Sequence, residues 1–172
     1  MKKTKTKNIA LAGILSALTV VILMVGVLLS MIDLSMSVIA ALVVMVALVE
    51  LNAKWAIGVY AVSSVISLLI APQTAVIAFA AVIGYYPVLK LAFDKIKPKL
   101  LRFAVKLLWF NGVCIGLFWF LMNVLGMEES GTVLALLLVM SNLVFILLDR
   151  AIPLFAVVYL KKIRPKLPFS GK

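Results

Sequence analysis

Six long apolar stretches, separated by short polar breaks, are the feature that most constrains the fold of this chain. A helix needs about 20 apolar residues to cross a bilayer, within a range of about 17 to 25. The stretches therefore predict an all-α polytopic membrane protein built as a bundle of six transmembrane helices. They cover approximately residues 9–31, 36–50, 55–71, 74–92, 103–125 and 132–160.

The positive charges predict how this bundle is oriented. If the first helix starts in the cytoplasm, every Lys and Arg lies on the cytoplasmic side. The turns around Asp33, Pro72-Gln73 and Glu128-Glu129 then lie outside and carry no positive charge. This asymmetry follows the positive-inside rule, which is most reliable for short loops. We expect one integral membrane domain, residues 1–172, that crosses the cell membrane several times with both termini cytoplasmic.

The last stretch allows two arrangements. Residues 132–148 already span about 25 Å as a helix, which is nearly a full crossing, and a further apolar run follows Asp149 and Arg150. Either the helix is long and tilted, or it bends at Pro153 and continues along the inner interface as an amphipathic segment.

Composition excludes several classes of function. The chain has no histidine and one cysteine, Cys114, so zinc sites with histidine ligands and serine–histidine triads are excluded. No phosphate-binding glycine loop or nucleophile elbow is present. We therefore expect no enzyme activity, no catalytic residues, no metal and no cofactor.

The net charge of +11 does not indicate a nucleic-acid partner. The charges cluster at the ends of spans and in the tail, where they set topology and contact anionic lipid headgroups of the cytoplasmic leaflet. A specific acidic partner is the alternative interpretation.

The first helix carries small residues at helical spacing. Ala10, Gly13 and Ala17 share one face, with Ala12 and Ser16 beside them. Small residues three and four positions apart allow helix backbones to approach closely in lipid. The pattern fits either packing within this protein's own bundle or a docking face for another membrane subunit.

Polar side chains in the last two stretches also have two interpretations. Buried amides must find partners in lipid, so Asn111 and Asn142 are expected to form interhelical hydrogen bonds, whereas Asn123 lies close to the outer end, where a ligand would bind. Asp149 and Arg150 are candidates for a coupling role or a structural ion pair. Because neighbouring helix positions point about 100° apart, Asp149 is equally able to reach the cationic 90–106 segment.

The layout resembles the substrate-binding S components of energy-coupling factor transporters, which are vitamin and micronutrient uptake subunits of prokaryotes. The resemblance rests on the basic N-terminus, the short outer turns, the spacing Gly13-x-x-x-Ala17, the outer turn at Pro72 and the pair Gly84-Tyr85. It implies that Ala10, Gly13 and Ala17 dock a transmembrane coupling subunit, which in turn binds ATPase subunits.

The resemblance also implies a small-molecule site near the outer face, formed by Asp33, Gln73, Trp119, Asn123 and Glu129. The outer loops here are short and poor in polar and aromatic residues, which departs from the family pattern and implies either an apolar ligand or a changed role. Three classes stay open: a substrate-capturing transporter subunit, a non-transporting membrane scaffold acting through its basic cytoplasmic loop and tail, and, least favoured, an enzyme or self-sufficient channel.

Overall fold

The computed structural model describes residues 2–29, 32–124 and 131–166, and these ranges contain helices and turns but no strand. Two π-helical turns and one 3-10 turn accompany seven α-helices in these ranges. The α-helices are α1 (Lys2–Leu28), α2 (Asp33–Glu50), α3 (Ala53–Ile70), α4 (Thr74–Ala78), α5 (Tyr86–Phe93), α6 (Lys99–Val124) and α7 (Gly131–Val158).

Six helical segments of the described chain are long and apolar enough to cross a membrane. This confirms the predicted all-α fold with six membrane-length helices. The segments are Thr6–Leu28, Asp33–Glu50, Ala53–Ile70, Ala75–Phe93, Lys99–Phe120 and Gly131–Lys162.

Several helix ends differ from the apolar stretches that predicted them. The fifth begins at Lys99 instead of residue 103, directly after Pro98. Proline is common at helix starts because its missing N–H would have no intrahelical partner there. The Pro98 carbonyl accepts the first bond of this helix, from the Arg102 N–H at 2.9 Å. The helix α6 therefore includes Lys99 and Arg102, which precede the apolar stretch predicted from residue 103.

The described chain forms two compact units. Unit 1 comprises Met1–Leu89 and Ala151–Lys172, and unit 2 comprises Lys90–Arg150. In unit 1, α1 packs against α2 and α3, and α2 also packs against α3 and α4. Fully buried alanines in α2 and α3, including Ala40, Ala41 and Ala56, allow this packing. At Gly26, an added Cβ would lie 2.8 Å from Met36 Cβ, so α1 and α2 need a glycine there.

The fourth membrane-length segment is interrupted in its middle. After α4, residues Phe79–Ile83 form a π-helical turn, closed by a bond from the Gly84 N–H to the Phe79 carbonyl at 2.8 Å. A turn at Gly84 and Tyr85 separates it from α5. Pro87, which predicts a bend, lies near the start of α5, where its missing N–H is tolerated.

Side chains stabilise this interruption. Tyr60 from α3 donates its hydroxyl to the Ala80 carbonyl at 2.5 Å, and Tyr85 donates to the Ala81 carbonyl at 3.0 Å. A Cβ at Gly84 would lie 2.7 Å from Tyr60 Cδ2 and 2.8 Å from Phe79 Cζ. Glycine therefore permits the close approach of Tyr60 to a turn whose carbonyls need donors in lipid.

In unit 2, α6 and α7 are joined by an amide pair. Asn111 and Asn142 each donate Nδ2 to the other's Oδ1 at 2.9 Å, which confirms the predicted interhelical hydrogen bond. Next to this pair, Phe110 and Phe145 stack with ring centroids 4.3 Å apart. These contacts hold α6 and α7 together within unit 2.

The last helix continues through Pro153 and ends at Val158, after which the π-helical turn Tyr159–Ile163 and the 3-10 turn Arg164–Lys166 follow. The membrane-length segment Gly131–Lys162 has 32 residues, about 48 Å at 1.5 Å per residue. That exceeds the roughly 30 Å hydrocarbon core. The segment is therefore longer than a perpendicular crossing requires, and Pro153 does not end the helix.

Candidate functional site

The two sides of α1 have different environments. Ala12, Leu15, Ser16, Thr19 and Leu23 are buried. Successive residues rotate by about 100°, so these positions share one side of the helix. The buried side confirms part of the packing interpretation, because Ala12 and Ser16 face this protein's own helices.

The opposite side of α1 is open. Ala10, Gly13 and Ala17 are exposed, and a Cβ added at Gly13 would meet no atom within 4 Å. Large apolar side chains border them, with Ile14 58% exposed and Val21 57% exposed. The three predicted docking residues therefore form a shallow, accessible strip with bulkier neighbours on the same helix.

Two of the predicted ligand-binding residues lie in unit 1. Asp33 begins α2 and is partly buried, and its Oδ1 accepts a bond from the Leu34 N–H at 2.6 Å. Gln73 is exposed and precedes α4, with its N–H bonded to the Ala71 carbonyl at 2.8 Å. One turn further along α2, Ser37 donates to the Ala75 carbonyl at 2.6 Å. That bond brings the starts of α2 and α4 to the same end of unit 1.

The other described candidates lie in unit 2, near the end of α6. Trp119 is 64% exposed, and Asn123 is exposed and donates Nδ2 to the Trp119 carbonyl at 2.8 Å. This bond within the helix satisfies one amide donor of Asn123. Glu129 lies outside the described residues.

Unit 2 also contains a cluster of charged side chains, here called the ion cluster: Lys90, Asp94, Arg102, Lys106 and Asp149. Lys106 Nζ lies 2.8 Å from Asp94 Oδ1 and 3.0 Å from Asp149 Oδ1. Lys90 contacts the same Asp149 oxygen, and Arg102 Nε lies 3.9 Å from Asp94. The lysine side chains are only 10% and 4% exposed, so these charges depend on each other for stabilisation.

Asp149 is therefore paired with the 90–106 segment, as one of the predicted alternatives stated. Arg150 is exposed and points about 100° away from Asp149 around the helix. Asp149 binds lysines from two other helices, α5 and α6. The ion cluster consequently connects α5, α6 and α7 within unit 2.

Lys90 makes a second contact that sequence reasoning missed. Its Nζ donates to the backbone carbonyl of Asp149 at 3.0 Å. Pro153, four residues later, has no N–H to offer this carbonyl. The lysine thus supplies the hydrogen bond that proline removes. The signal was present, since Lys90 sits at the end of an apolar run and proline follows an acid by four positions.

Unit 1 contains a second polar contact that the sequence did not indicate. Glu50 at the end of α2 accepts from the Tyr159 hydroxyl at 3.2 Å and from Arg164 Nε at 3.1 Å. The residues are more than 100 positions apart, so no local pattern shows the contact. It fastens the segment after α7 to the end of α2.

No family model, no curated protein and no solved structure matches this chain.

Proposed function

We propose that this protein is the substrate-capturing membrane subunit of a micronutrient uptake transporter in the cell membrane, energised by separate ATPase subunits. The observation that carries the proposal is the open strip Ala10, Gly13 and Ala17 on α1. One small-residue side of α1 is buried against other helices of this protein, and the other small-residue side is exposed. The open strip then suits a second membrane helix, because close backbone approach strengthens helix association in lipid.

In the proposed mechanism the protein captures a small molecule from outside and rocks against a transmembrane coupling subunit that binds α1. ATP hydrolysis in the ATPase subunits drives this change. The ligand shifts the equilibrium between orientations only to the extent that it binds one more tightly than the other. The outer turns predicted from the sequence are short and poor in polar residues, which favours a largely apolar ligand.

The first experiment is affinity purification in mild detergent, with mass spectrometry of the proteins and small molecules that are retained. The proposal predicts a membrane coupling subunit together with ATPase subunits, and a retained small molecule would identify the class of substrate. Recovery of lipid alone, or of a membrane partner without an ATPase, would contradict it.

The docking strip is tested by Gly13→Leu, which fills the open space with an isobutyl group. We expect association with the coupling subunit to be lost, because the two helix backbones can no longer approach. Gly58→Leu is the matched control, since Gly58 is also exposed, in α3, with no atom within 4 Å of an added Cβ. Equal co-purification of both variants would remove α1 from the docking surface.

A non-transporting scaffold is the second candidate function. It is favoured by the ion cluster, which holds the 90–106 segment in place, and by exposed lysines in that segment. A scaffold would bind its partner through this loop and the basic tail. Co-purification that survives Gly13→Leu but is lost when loop lysines are replaced would favour this function over the first.

A further inference from the structure

The connection between α5 and α6 presents a row of cations. Lys95, Lys97 and Lys99 are all exposed, and we refer to these three as the basic loop surface. The backbone beneath them is held by hydrogen bonds, such as Ile96 N–H to the Phe93 carbonyl at 3.0 Å. The lysines therefore project from a defined turn, with Pro98 restricting the chain between the last two.

Nearby carboxylates do not neutralise the basic loop surface. Asp94, the acid next to it, is held by Lys106 at 2.8 Å and by Arg102 at 3.9 Å. Within the described part of the chain, no carboxylate lies in ion-pair distance of Lys95, Lys97 or Lys99. Because Asp94 is paired within the ion cluster, the three positive charges of the basic loop surface are available to an external partner.

The surroundings of these lysines indicate what that partner is. The loop connects two membrane-length segments, Ala75–Phe93 and Lys99–Phe120. Directly beside it, Leu100 is 84% exposed, Leu101 53% and Phe103 45%. A soluble acidic protein would leave these apolar side chains in water, whereas a lipid leaflet covers them with acyl chains and places its headgroups level with the ammonium groups.

We propose that the basic loop surface binds the phosphate groups of anionic phospholipids. Several Lys and Arg residues next to a transmembrane helix are the usual footprint of this recognition, and each cation near an anionic surface adds to the attraction. Leu100, Leu101 and Phe103 meet the acyl chains of the same lipids. The site lies within unit 2 and is independent of the transporter assignment, because it requires neither a coupling subunit nor a substrate.

The test measures binding of phosphatidylglycerol to the detergent-purified full chain by native mass spectrometry, with phosphatidylcholine as the neutral lipid. Lys95→Gln/Lys97→Gln/Lys99→Gln is expected to weaken phosphatidylglycerol binding about tenfold or more. The matched control is Lys54→Gln/Lys161→Gln/Lys162→Gln, which removes the same charge from exposed lysines of unit 1. The control should weaken phosphatidylglycerol binding clearly less than the loop variant does.

Equal losses in both variants would show attraction to net charge alone and overturn the proposal, as would no loss in the loop variant. Lysines also direct topology, so replacing them can change the orientation of the protein as well as its lipid binding. A second measurement therefore uses the wild-type chain, which carries no substitution. Its preference for phosphatidylglycerol should decrease as salt rises, because screening weakens contacts between exposed charges. A preference that is absent, or unchanged by salt, would likewise overturn the proposal.

Discussion

At the scale of single residues, Asp149 shows how a membrane protein accommodates a carboxylate. Burying an isolated charge is costly unless it is paired, and Asp149 is bound by both Lys90 and Lys106. Its backbone carbonyl, which lacks a helical partner because of Pro153, is bound by Lys90 as well. Lys90 thus pairs with the carboxylate of Asp149 and also donates a hydrogen bond to its backbone carbonyl.

Replacing this carboxylate should destabilise the protein. Asp149→Asn leaves Lys90 without its closest counter-charge, and removing one partner of a buried pair typically costs about 3 kcal/mol or more. Thermal unfolding in detergent measures the loss. Lys90→Met/Asp149→Asn should recover only part of it, because Lys106 keeps Asp94 as its partner but the backbone carbonyl of residue 149 loses the Lys90 donor.

Arg150→Gln is the control for this prediction. Arg150 is adjacent to Asp149 but exposed, and exposed substitutions usually change stability by less than about 0.5 kcal/mol. A loss for Arg150→Gln as large as that for Asp149→Asn would mean that the neighbouring residues, and not α5 and α6, balance the carboxylate.

At the scale of helices, the contact between α6 and α7 depends on reciprocal polar bonds in an apolar setting. Asn111 and Asn142 each use one Nδ2 hydrogen for the partner and donate the other to a carbonyl four residues earlier, at 2.8 Å. All donors of the amide pair are therefore satisfied. Because the amides bond only to each other across the helices, the pair also defines their register.

The amide pair makes a measurable prediction. Asn111→Leu should lower stability by about 1 kcal/mol, since interhelical hydrogen bonds in membranes average roughly 0.6 and reach about 1.7 kcal/mol. The double variant Asn111→Leu/Asn142→Leu should lose less stability than the sum of the two single variants. Each single variant leaves one amide without its partner, whereas the double variant removes both amides. Strict additivity in a double-mutant cycle would show that the two amides are not coupled.

At the scale of the whole molecule, charge placement predicts orientation. All 17 Lys and Arg residues lie on one side of the proposed topology, and short loops obey this bias best. A cytoplasmic fluorescent reporter fused to either terminus should therefore be active. Alkaline phosphatase is active only outside the cytoplasm, so an alkaline phosphatase inserted after Gln73 should be active. Active alkaline phosphatase fused to either terminus would refute the topology.

Hydropathy predicted the number of membrane-length helices well, but not their internal detail. The break at Phe79–Ile83 is stabilised by Tyr60, which donates to the Ala80 carbonyl from another helix. No local pattern in 74–92 reveals that donor, because the interruption depends on a contact between residues 20 positions apart.

The candidate sites divide in the same way. The sequence predicted that Asn111 and Asn142 bond across helices, because few polar groups exist in these spans and each needs a partner. It did not distinguish which side of α1 is buried. In a membrane, both the lipid-facing and the protein-facing sides of a helix are apolar, so the usual contrast between a polar and an apolar face is missing.

The amino-acid sequence by itself determined that the chain forms membrane-length helices and how many, because that property depends on the local sum of apolar side chains. Only the tertiary structure decided that Ala12 and Ser16 are buried while Gly13 is open, that Asp149 pairs with Lys90 and Lys106, and that Glu50 binds the segment after α7. These outcomes depend on which helices become neighbours, a relation between distant parts of the chain that hydropathy does not encode.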